Sequence, residues 1–514
     1  MFLLILFLFL LLTPAIFSLY WAHALVAVFC LFNIKTFARY YLFWFLFIVV
    51  LLFSSQARLS LEHFLIISSI FAFTRNINLE AKQKKITLAI IFFVFFAMDF
   101  FNINLAEQGS VFMFLPVFLA LEFPLQRFNL QSKSYKKFFV YLISFFGALF
   151  SNKRTTLLAF LASLQNLFSR KLLIIFSFLI LVVSFVVSDN VKSFYKKSIA
   201  PRVLIWQASI EGALHKPLYG HGLGTFTIDF PPYRKLNHKT HGAKSAQHIV
   251  HGHNQFVHCF FELGLLGLFL FLYLLKMIYK FSPNVFWTFL VICSFDTSLA
   301  SYSQILFFAL LFSDLKYDAW IFKEIHSAKI KKILTVSLIL LSTFLFASSC
   351  LGHYFFDQTQ FSKAIKVDPL HPLYHFSRGA KHINKNISES NQDLKKAVEL
   401  APSIGYFHAF YAATLLGTEQ IEQAKYHIAT AIEQLGDDAY LYVLSSVINQ
   451  DDLQKSTEHL QMAIDLKPEI QEMLFDPSIS ADEYLGVSAN NPRLMSFYRY
   501  GKKTFLPLPV IELE

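Results

Sequence analysis

Paired cysteines are missing from this chain. Its 514 residues include four cysteines, and their spacing fits neither a disulfide framework nor a zinc site. Each of them lies in or beside an apolar segment, which is typical of a small buried hydrophobic residue; they are Cys30, Cys259, Cys293 and Cys350. The sequence therefore predicts no disulfide framework and no metal site built on cysteine.

A basic patch and a removable signal peptide are missing as well. The formal net charge is +11, but the Lys and Arg residues lie in short loops between apolar runs. That distribution is typical of membrane topology and argues against a nucleic-acid partner. The N-terminus, which begins Met1-Phe2-Leu3-Leu4, has neither a basic region nor a clear cleavage site. We therefore expect the first membrane span there.

Long apolar runs are what the chain has in abundance. Hydrophobic residues make up 55%, the mean hydropathy is +0.49 and there are 62 phenylalanines. Many runs are long enough to cross the ~30 Å hydrocarbon layer, where only helices satisfy their own backbone in such segments. We therefore predict an all-α protein with a polytopic bundle of about 12 to 13 spans. The segments are 2–17, 20–34, 38–55, 60–74, 86–105, 109–125, 137–150, 154–168, 171–188, 255–279, 284–299, 300–315 and 331–351.

The basic residues give this bundle an orientation. They cluster in alternate loops, whereas the intervening short loops hold only Arg58, Lys153 and Arg154. The positive-inside rule places the clusters in the cytoplasm, and the long polar loop at 188–255 outside. The same rule sends the last span, 331–351, outward, so the polar sequence after it is also expected on the outer side.

That C-terminal sequence contains an internal repeat. Segments beginning at Ala364, Ala397, Ala431 and Ala463 resemble one another, and their starts are separated by 33, 34 and 32 residues. This period matches the tetratricopeptide repeat, in which stacked helix pairs bury a shared core and leave a concave groove. The pattern predicts helical repeats over residues 352–480, followed by a tail or cap at 481–514. Either a plain scaffold or a docking site for a protein partner fits such repeats.

The outer loop carries the polar side chains that the membrane part lacks. It ends in His253 and Asn254, and we expect it to continue without a break into an apolar helix that reaches Gly267. A glycine-rich turn, residues 217–224, lies in its middle. The cationic and histidine side chains of the loop are Arg202, His215, His221, Arg234, His238, His241, His248, His251 and His253.

These motifs resemble those of bacterial O-antigen ligases and the related polymerases. His253-Asn254, nine residues and then Gly264-Leu265-Leu266-Gly267 is similar to the pattern His-[Asn/Ser/Gln]-x9-Gly-x-x-[Gly/Thr/Tyr] of the ligases. Arg202 stands where that family has an Arg-x-x-x-Leu element, here with Trp206 in the last place. The glycine-rich turn and Lys153-Arg154-Thr155 resemble further elements of the superfamily. The resemblance covers 150–280 in its motifs and 1–350 in its layout.

The resemblance implies an inverting, metal-independent transferase without cofactor, whose donor is a glycan on undecaprenyl diphosphate. Arginine suits such a donor, because its forked and permanently charged group pairs with phosphates. We therefore expect Arg154 and Arg202 to bind the diphosphate, although arginines at the end of a span can also contact lipid headgroups. By this resemblance the membrane is the bacterial inner membrane, and the loop and repeats are periplasmic.

His253 is the candidate catalytic base. Histidine exchanges protons near neutral pH, and a helix N-terminus favours its neutral form, so His253 can deprotonate or orient the acceptor hydroxyl. A helix-capping role is the alternative for His253, and Asn254 can also fill it. Supporting positions are Gly222 and Gly224 of the turn, Glu262, and Gly264 and Gly267, which are expected to allow close helix packing.

Two further interpretations of these polar residues are weaker. The histidines near His253 can be read as metal ligands, but no Cys, Asp or Glu accompanies them at regular spacing, so we predict no metal. Acidic residues inside spans are functional candidates; Glu262 fits the family pattern with either a structural or a catalytic role. Asp99 and Asp296 have no partner in the sequence and stay without a role.

The function expected from the sequence is therefore that of an O-antigen ligase. It moves a glycan to lipid A-core or a related glycolipid, with membrane lipids around it. An O-antigen polymerase, with a second lipid-linked glycan as acceptor, and a protein O-oligosaccharyltransferase are the alternatives. A transporter would need polar residues deep in several spans, and an assembly scaffold would leave Arg202 and His253 without a purpose.

Overall fold

The structure is a computed structural model that describes residues 40–76, 200–233, 251–297 and 323–468, apart from 384, 436 and 437, with a few positions between 298 and 322. These residues are helical throughout, with one isolated bridge between Tyr40 and Glu324. The chain forms two compact units. The first contains 1–224 and 251–346, and the second contains 225–250 and 347–514.

The described helices are numbered here in chain order. They are α1 (Tyr41–Phe53), α2 (Ala57–Asn76), α3 (Ala200–His215), α4 (Phe226–Asp229), α5 (Gln255–Phe281), α6 (Pro283–Phe295), α7 (Ala328–Asp357), α8 (Phe361–Val367), α9 (Pro372–His382), α10 (Ile387–Leu400), α11 (Gly405–Gly417), α12 (Ile421–Leu435), α13 (Ala439–Ile448) and α14 (Leu453–Leu466). A 3₁₀ turn, Pro231–Tyr233, follows α4.

Two helices of the described part, α5 and α7, are long and apolar enough to cross a membrane. They match the predicted segments 255–279 and 331–351, while α1, α2 and α6 fall on 38–55, 60–74 and 284–299. In the first unit α1 packs against α2, and α5 packs against both α3 and α6. The remaining predicted segments lie outside the described residues, so the count of about 12 to 13 spans stays a prediction.

The second unit contains consecutive helix pairs in the part of the chain where the sequence has its repeated segments. Helices α9 and α10, α11 and α12, and α13 and α14 pack as consecutive pairs. The alanines that mark the repeats, Ala364, Ala397, Ala431 and Ala463, are all 0% exposed. Small side chains at these positions let neighbouring helices approach closely. The period in the sequence therefore corresponds to a recurring core position.

A recurring hydrogen bond supports the same period. Nε2 of His375 lies 3.0 Å from the carbonyl oxygen of Pro369, and Nε2 of His408 lies 2.8 Å from that of Pro402. The second pair lies 33 residues after the first. The histidines of α9 and α11 therefore bind the turns that precede these two helices. The assignment to the tetratricopeptide class stays a prediction, and the tail 481–514 lies outside the described residues.

Candidate functional site

Helix α5 is interrupted at Gly264. The backbone there has φ +64° and ψ −156°, and the helix resumes after this residue. The helix that was expected directly after the loop is present, and Gly264 interrupts it. Glycine adopts this backbone conformation readily because it has no Cβ, and its position in an apolar run concealed the break in the sequence.

The glycine-rich turn fills the break. A helix interruption leaves amide and carbonyl groups without their intrahelical partners, and the turn supplies those partners from its own backbone. The four hydrogen bonds are His221 N to Phe261 O (3.0 Å), Gly222 N to Glu262 O (2.8 Å), Leu265 N to Pro217 O (2.8 Å) and Leu266 N to Leu218 O (3.2 Å). A break inside an apolar helix is tolerated when protein groups satisfy it in this way.

Glycine is required where the glycine-rich turn crosses α5. A Cβ on Gly220, whose φ is +70°, would overlap the backbone of Glu262, and a Cβ on Gly264 would lie 2.5 Å from the carbonyl carbon of Leu218. Gly222 lies in the same way against the Ser54 side chain, and Gly267 against the Leu263 side chain. Gly220 and Gly264 therefore allow the backbone contact between the turn and α5, whereas Gly222 makes room for Ser54 and Gly267 for Leu263 of its own helix.

The side chain of Glu262 also binds the glycine-rich turn. Its carboxylate is buried, and Oε2 accepts a hydrogen bond of 3.0 Å from the amide of Gly224. Nε2 of His258 lies 3.6 Å from Oε1. Of the two roles that the sequence left open for Glu262, this geometry provides the structural one: the carboxylate positions the end of the glycine-rich turn.

His253 directly precedes the capping residue of α5. Asn254 is the N-cap, and its Oδ1 accepts hydrogen bonds from the amides of Phe256 (2.9 Å) and Val257 (3.2 Å). The capping role thus belongs to Asn254, which leaves the imidazole of His253 available. His253 itself has φ +48°, a conformation that is uncommon for a residue with a side chain and that is found at functional sites.

Asp296, at the end of α6, lies beside this imidazole. Oδ1 of Asp296 is 3.9 Å from Nδ1 of His253, with the side chains 11% and 34% exposed. Oδ1 also accepts a 2.9 Å hydrogen bond from the amide of Thr297. If this separation closes to hydrogen-bond distance, the carboxylate selects the tautomer with a proton on Nδ1, which leaves Nε2 free to accept a proton.

Two polar bonds hold the end of α6 against the start of α5. Nδ2 of Asn254 donates to the carbonyl of Ser294 at 2.9 Å, and Oε1 of Gln255 accepts from the amide of Leu299 at 2.9 Å. The sequence did give one signal for Asp296, because α6 follows α5 directly and its end should return to the outer surface. Only the packing of α6 on α5 identifies His253 as its neighbour.

His251, His253 and Asp296 form a cluster that could hold a metal ion. Ligand atoms of His251, His253 and Asp296 lie within 4.8 Å of one another, and two imidazoles with a carboxylate form a ligand set that zinc accepts. The prediction of no metal relied on the lack of Cys, Asp or Glu at regular spacing and on the resemblance to a metal-independent family. The fold brings the carboxylate of Asp296 to these histidines from a distant part of the sequence.

The candidate diphosphate ligands are described only in part. Arg202 lies in the first turn of α3, the helix that packs against α5. It forms no hydrogen bond or ion pair with any residue that the structure describes. Trp206, one turn further on the same face, has a buried Nε1 without an acceptor among the described residues. Arg154, Lys153 and Asp99 lie outside those residues, so convergence of both arginines on His253 stays a prediction.

Comparison with known proteins identifies the segment that contains most of this site. Residues 139–272 match the family described as O-antigen ligase. The matched segment includes Arg154, Arg202, the glycine-rich turn, His253 and Glu262, and it ends before Asp296. No curated protein and no solved structure matches the chain.

Proposed function

We propose that this chain is a membrane glycosyltransferase of the ligase type, because residues 139–272 match the O-antigen ligase family. Its donor is a glycan on undecaprenyl diphosphate, and its acceptor is lipid A-core or a related glycolipid at the periplasmic face of the inner membrane. The family supports glycan transfer of the ligase or polymerase type. The observation that carries the mechanism is the pairing of His253 with Asp296.

In the proposed reaction Nε2 of His253 takes the proton of the acceptor hydroxyl. The hydroxyl oxygen then attacks the anomeric carbon of the donor sugar, and the bond from that carbon to the diphosphate oxygen breaks with inversion. Asp296 keeps the imidazole in the required tautomer and stabilises the positive charge that it gains. General-base catalysis of this kind contributes about 10²- to 10⁴-fold to a rate.

Arg202 is the proposed ligand of the leaving diphosphate, together with Arg154. A guanidinium group can neutralise the charge that develops on this leaving group. The indole N–H of Trp206 lacks a described acceptor and lies one turn from Arg202, so it is a candidate donor to the same substrate. Glu262, Gly220 and Gly264 act indirectly, since they hold the glycine-rich turn against α5.

The acceptor separates this proposal from its nearest alternatives. A polymerase would use a second lipid-linked glycan, and a protein O-oligosaccharyltransferase would use a Ser or Thr of a protein. The helical repeats are compatible with a protein acceptor or an assembly partner. A scaffold would have no use for the His253–Asp296 pair. A transporter would need polar residues deep in several spans or broken helices in two related halves.

The test is transfer of a labelled lipid-linked glycan in membranes that contain the full chain, with each acceptor offered separately. His253→Ala should lower the rate at least about 100-fold, and Asp296→Asn about tenfold, because only the first change removes the base. His326→Ala is the matched control, since this histidine is exposed in the same unit and should leave the rate unchanged.

A chelator distinguishes proton transfer by His253 from metal catalysis. With EDTA present, the wild type should keep its rate if His253 acts as a free base. Loss of transfer on chelation, with recovery on addition of zinc, would instead favour the ligand set of His251, His253 and Asp296. A His253→Ala variant that inserts normally and transfers at the wild-type rate would contradict the proposed mechanism.

A further inference from the structure

The chain directly after the glycine-rich turn behaves unlike an exposed loop. Residues 225–233, named here the docking segment, contain α4 and the 3₁₀ turn Pro231–Tyr233. Phe226 is 1% and Phe230 is 2% exposed, and their rings stack with centroids 4.7 Å apart. Large aromatic side chains buried to this degree need a packing surface that a nine-residue segment cannot provide for itself.

The helical repeats provide contacts for this segment. The docking segment belongs to the same compact unit as residues 347–514, and its 3₁₀ turn packs against α12. The hydroxyl of Ser403 donates to Oδ1 of Asp229 at 3.5 Å, and both side chains are buried. Ser403 lies between α10 and α11, next to Pro402, whose carbonyl is fixed by His408.

One boundary between the two compact units lies between Gly224 and Thr225. The amide of Gly224 is bound by the Glu262 carboxylate of the first unit, whereas Thr225 begins the part that belongs to the second unit. The glycine-rich turn and the docking segment are therefore adjacent in the chain, joined by the peptide bond between Gly224 and Thr225.

We propose that the helical repeats bind the docking segment of their own chain and thereby position the loop between Arg202 and His253 for glycan transfer. The repeats then have an internal ligand, an apolar and acidic segment with Phe226, Asp229 and Phe230 as its anchors. The role in transfer rests on the proposed function. The docking itself does not, and the two parts are tested separately.

Cross-linking in the full-length protein tests the docking. Asp229→Cys and Ser403→Cys are combined after the four native cysteines are replaced by alanine, and a protease site is inserted among residues 234–250. A short bifunctional thiol reagent should keep the two fragments joined on a denaturing gel after cleavage. The control pairs Asp229→Cys with Thr457→Cys, an exposed position of α14, which should give separate fragments. Equal joining in both pairs, or none with Ser403→Cys, would overturn the docking.

Transfer assays test the positioning role. Phe230→Ala should lower transfer about tenfold, since it removes a fully buried anchor. Tyr426→Ala, which removes an aromatic ring that is 66% exposed on α12, should stay within about twofold. The cross-linked Asp229→Cys/Ser403→Cys protein should transfer as well as before linking.

Each outcome has a defined meaning. Loss of transfer on cross-linking, or wild-type transfer by Phe230→Ala, would overturn the positioning role, because docking would then be inhibitory or irrelevant. If the wild type transfers no glycan at all, the proposed function fails, and the fragment gel still decides whether the repeats bind the docking segment.

Discussion

Replacement of Gly264 by alanine should disrupt the first unit more than any change of similar size at an exposed site. The added Cβ would lie 2.5 Å from the carbonyl carbon of Leu218, so the turn and α5 cannot keep their present separation. An alanine at φ +64° and ψ −156°, a backbone region that essentially only glycine populates, is itself disfavoured by about 1 to 3 kcal/mol. Both effects act on the same backbone crossing.

The larger part of the expected loss comes from hydrogen bonds. If the turn moves out of the break, the four bonds between residues 217–222 and 261–266 are lost together. Each contributes about 1 kcal/mol net, and a buried group that stays unsatisfied costs about 1 to 3 kcal/mol. Partial relaxation will recover some of this, so we expect Gly264→Ala to lower the free energy of unfolding by about 3 to 6 kcal/mol.

Thermal unfolding of the purified protein in detergent measures this effect. Gly264→Ala should lower the midpoint by about 5 °C or more, and it should reduce the yield of folded protein from membranes. Leu265→Ala is the matched control, because its side chain is exposed and lies next to the break. If the Gly264→Ala midpoint agrees with that of the wild type, the backbone crossing does not contribute as we have argued.

Two predictions concern the helical repeats. Arg378 binds both oxygens of the buried Asp393 carboxylate, at 2.6 and 2.7 Å. In thermal unfolding, Arg378→Met should therefore destabilise the protein by about 2 to 3 kcal/mol. The control Lys425→Met breaks only exposed ion pairs and should leave the unfolding midpoint unchanged. Burial and the nearby His408 lower the pKa of His427 to about 4. The unfolded chain then binds more protons, so stability should fall between pH 6.5 and 4, by about 1 to 2 kcal/mol for this partly exposed group. In a pH series of unfolding midpoints, His427→Gln should flatten this fall; an unchanged slope would contradict the assignment to His427.

The buried alanines of the second unit follow a sequence signal that is local and recurs. An alanine in the same helical position every 32 to 34 residues corresponds to one buried position per helix pair. His253 and Asn254 could likewise be placed at a helix start, since a polar pair before an apolar run is a local pattern. The assignment of the cap to Asn254 then follows from its preference for that position.

Features that depend on packing between distant segments could not be predicted. Asp296 is a lone acid at the end of an apolar run, and nothing near it in sequence points to His253. Gly264 resembles an ordinary small residue of a membrane helix, because the turn that breaks α5 lies about 45 residues earlier in the chain. The aromatic residues Phe226 and Phe230 are inconspicuous in a chain so rich in phenylalanine.

The inserted turn also has a consequence for biosynthesis. Residues 217–222 leave the ribosome before α5, so the groups that close the break already exist when this helix enters the membrane. Without them, two amides and two carbonyls at the break would face hydrocarbon at a cost of several kcal/mol each. An isolated α5 is therefore expected to avoid this cost by closing into one continuous helix. A deletion within the turn should therefore produce a continuous α5, in which the residues after Gly264 are rotated about the helix axis relative to those before it.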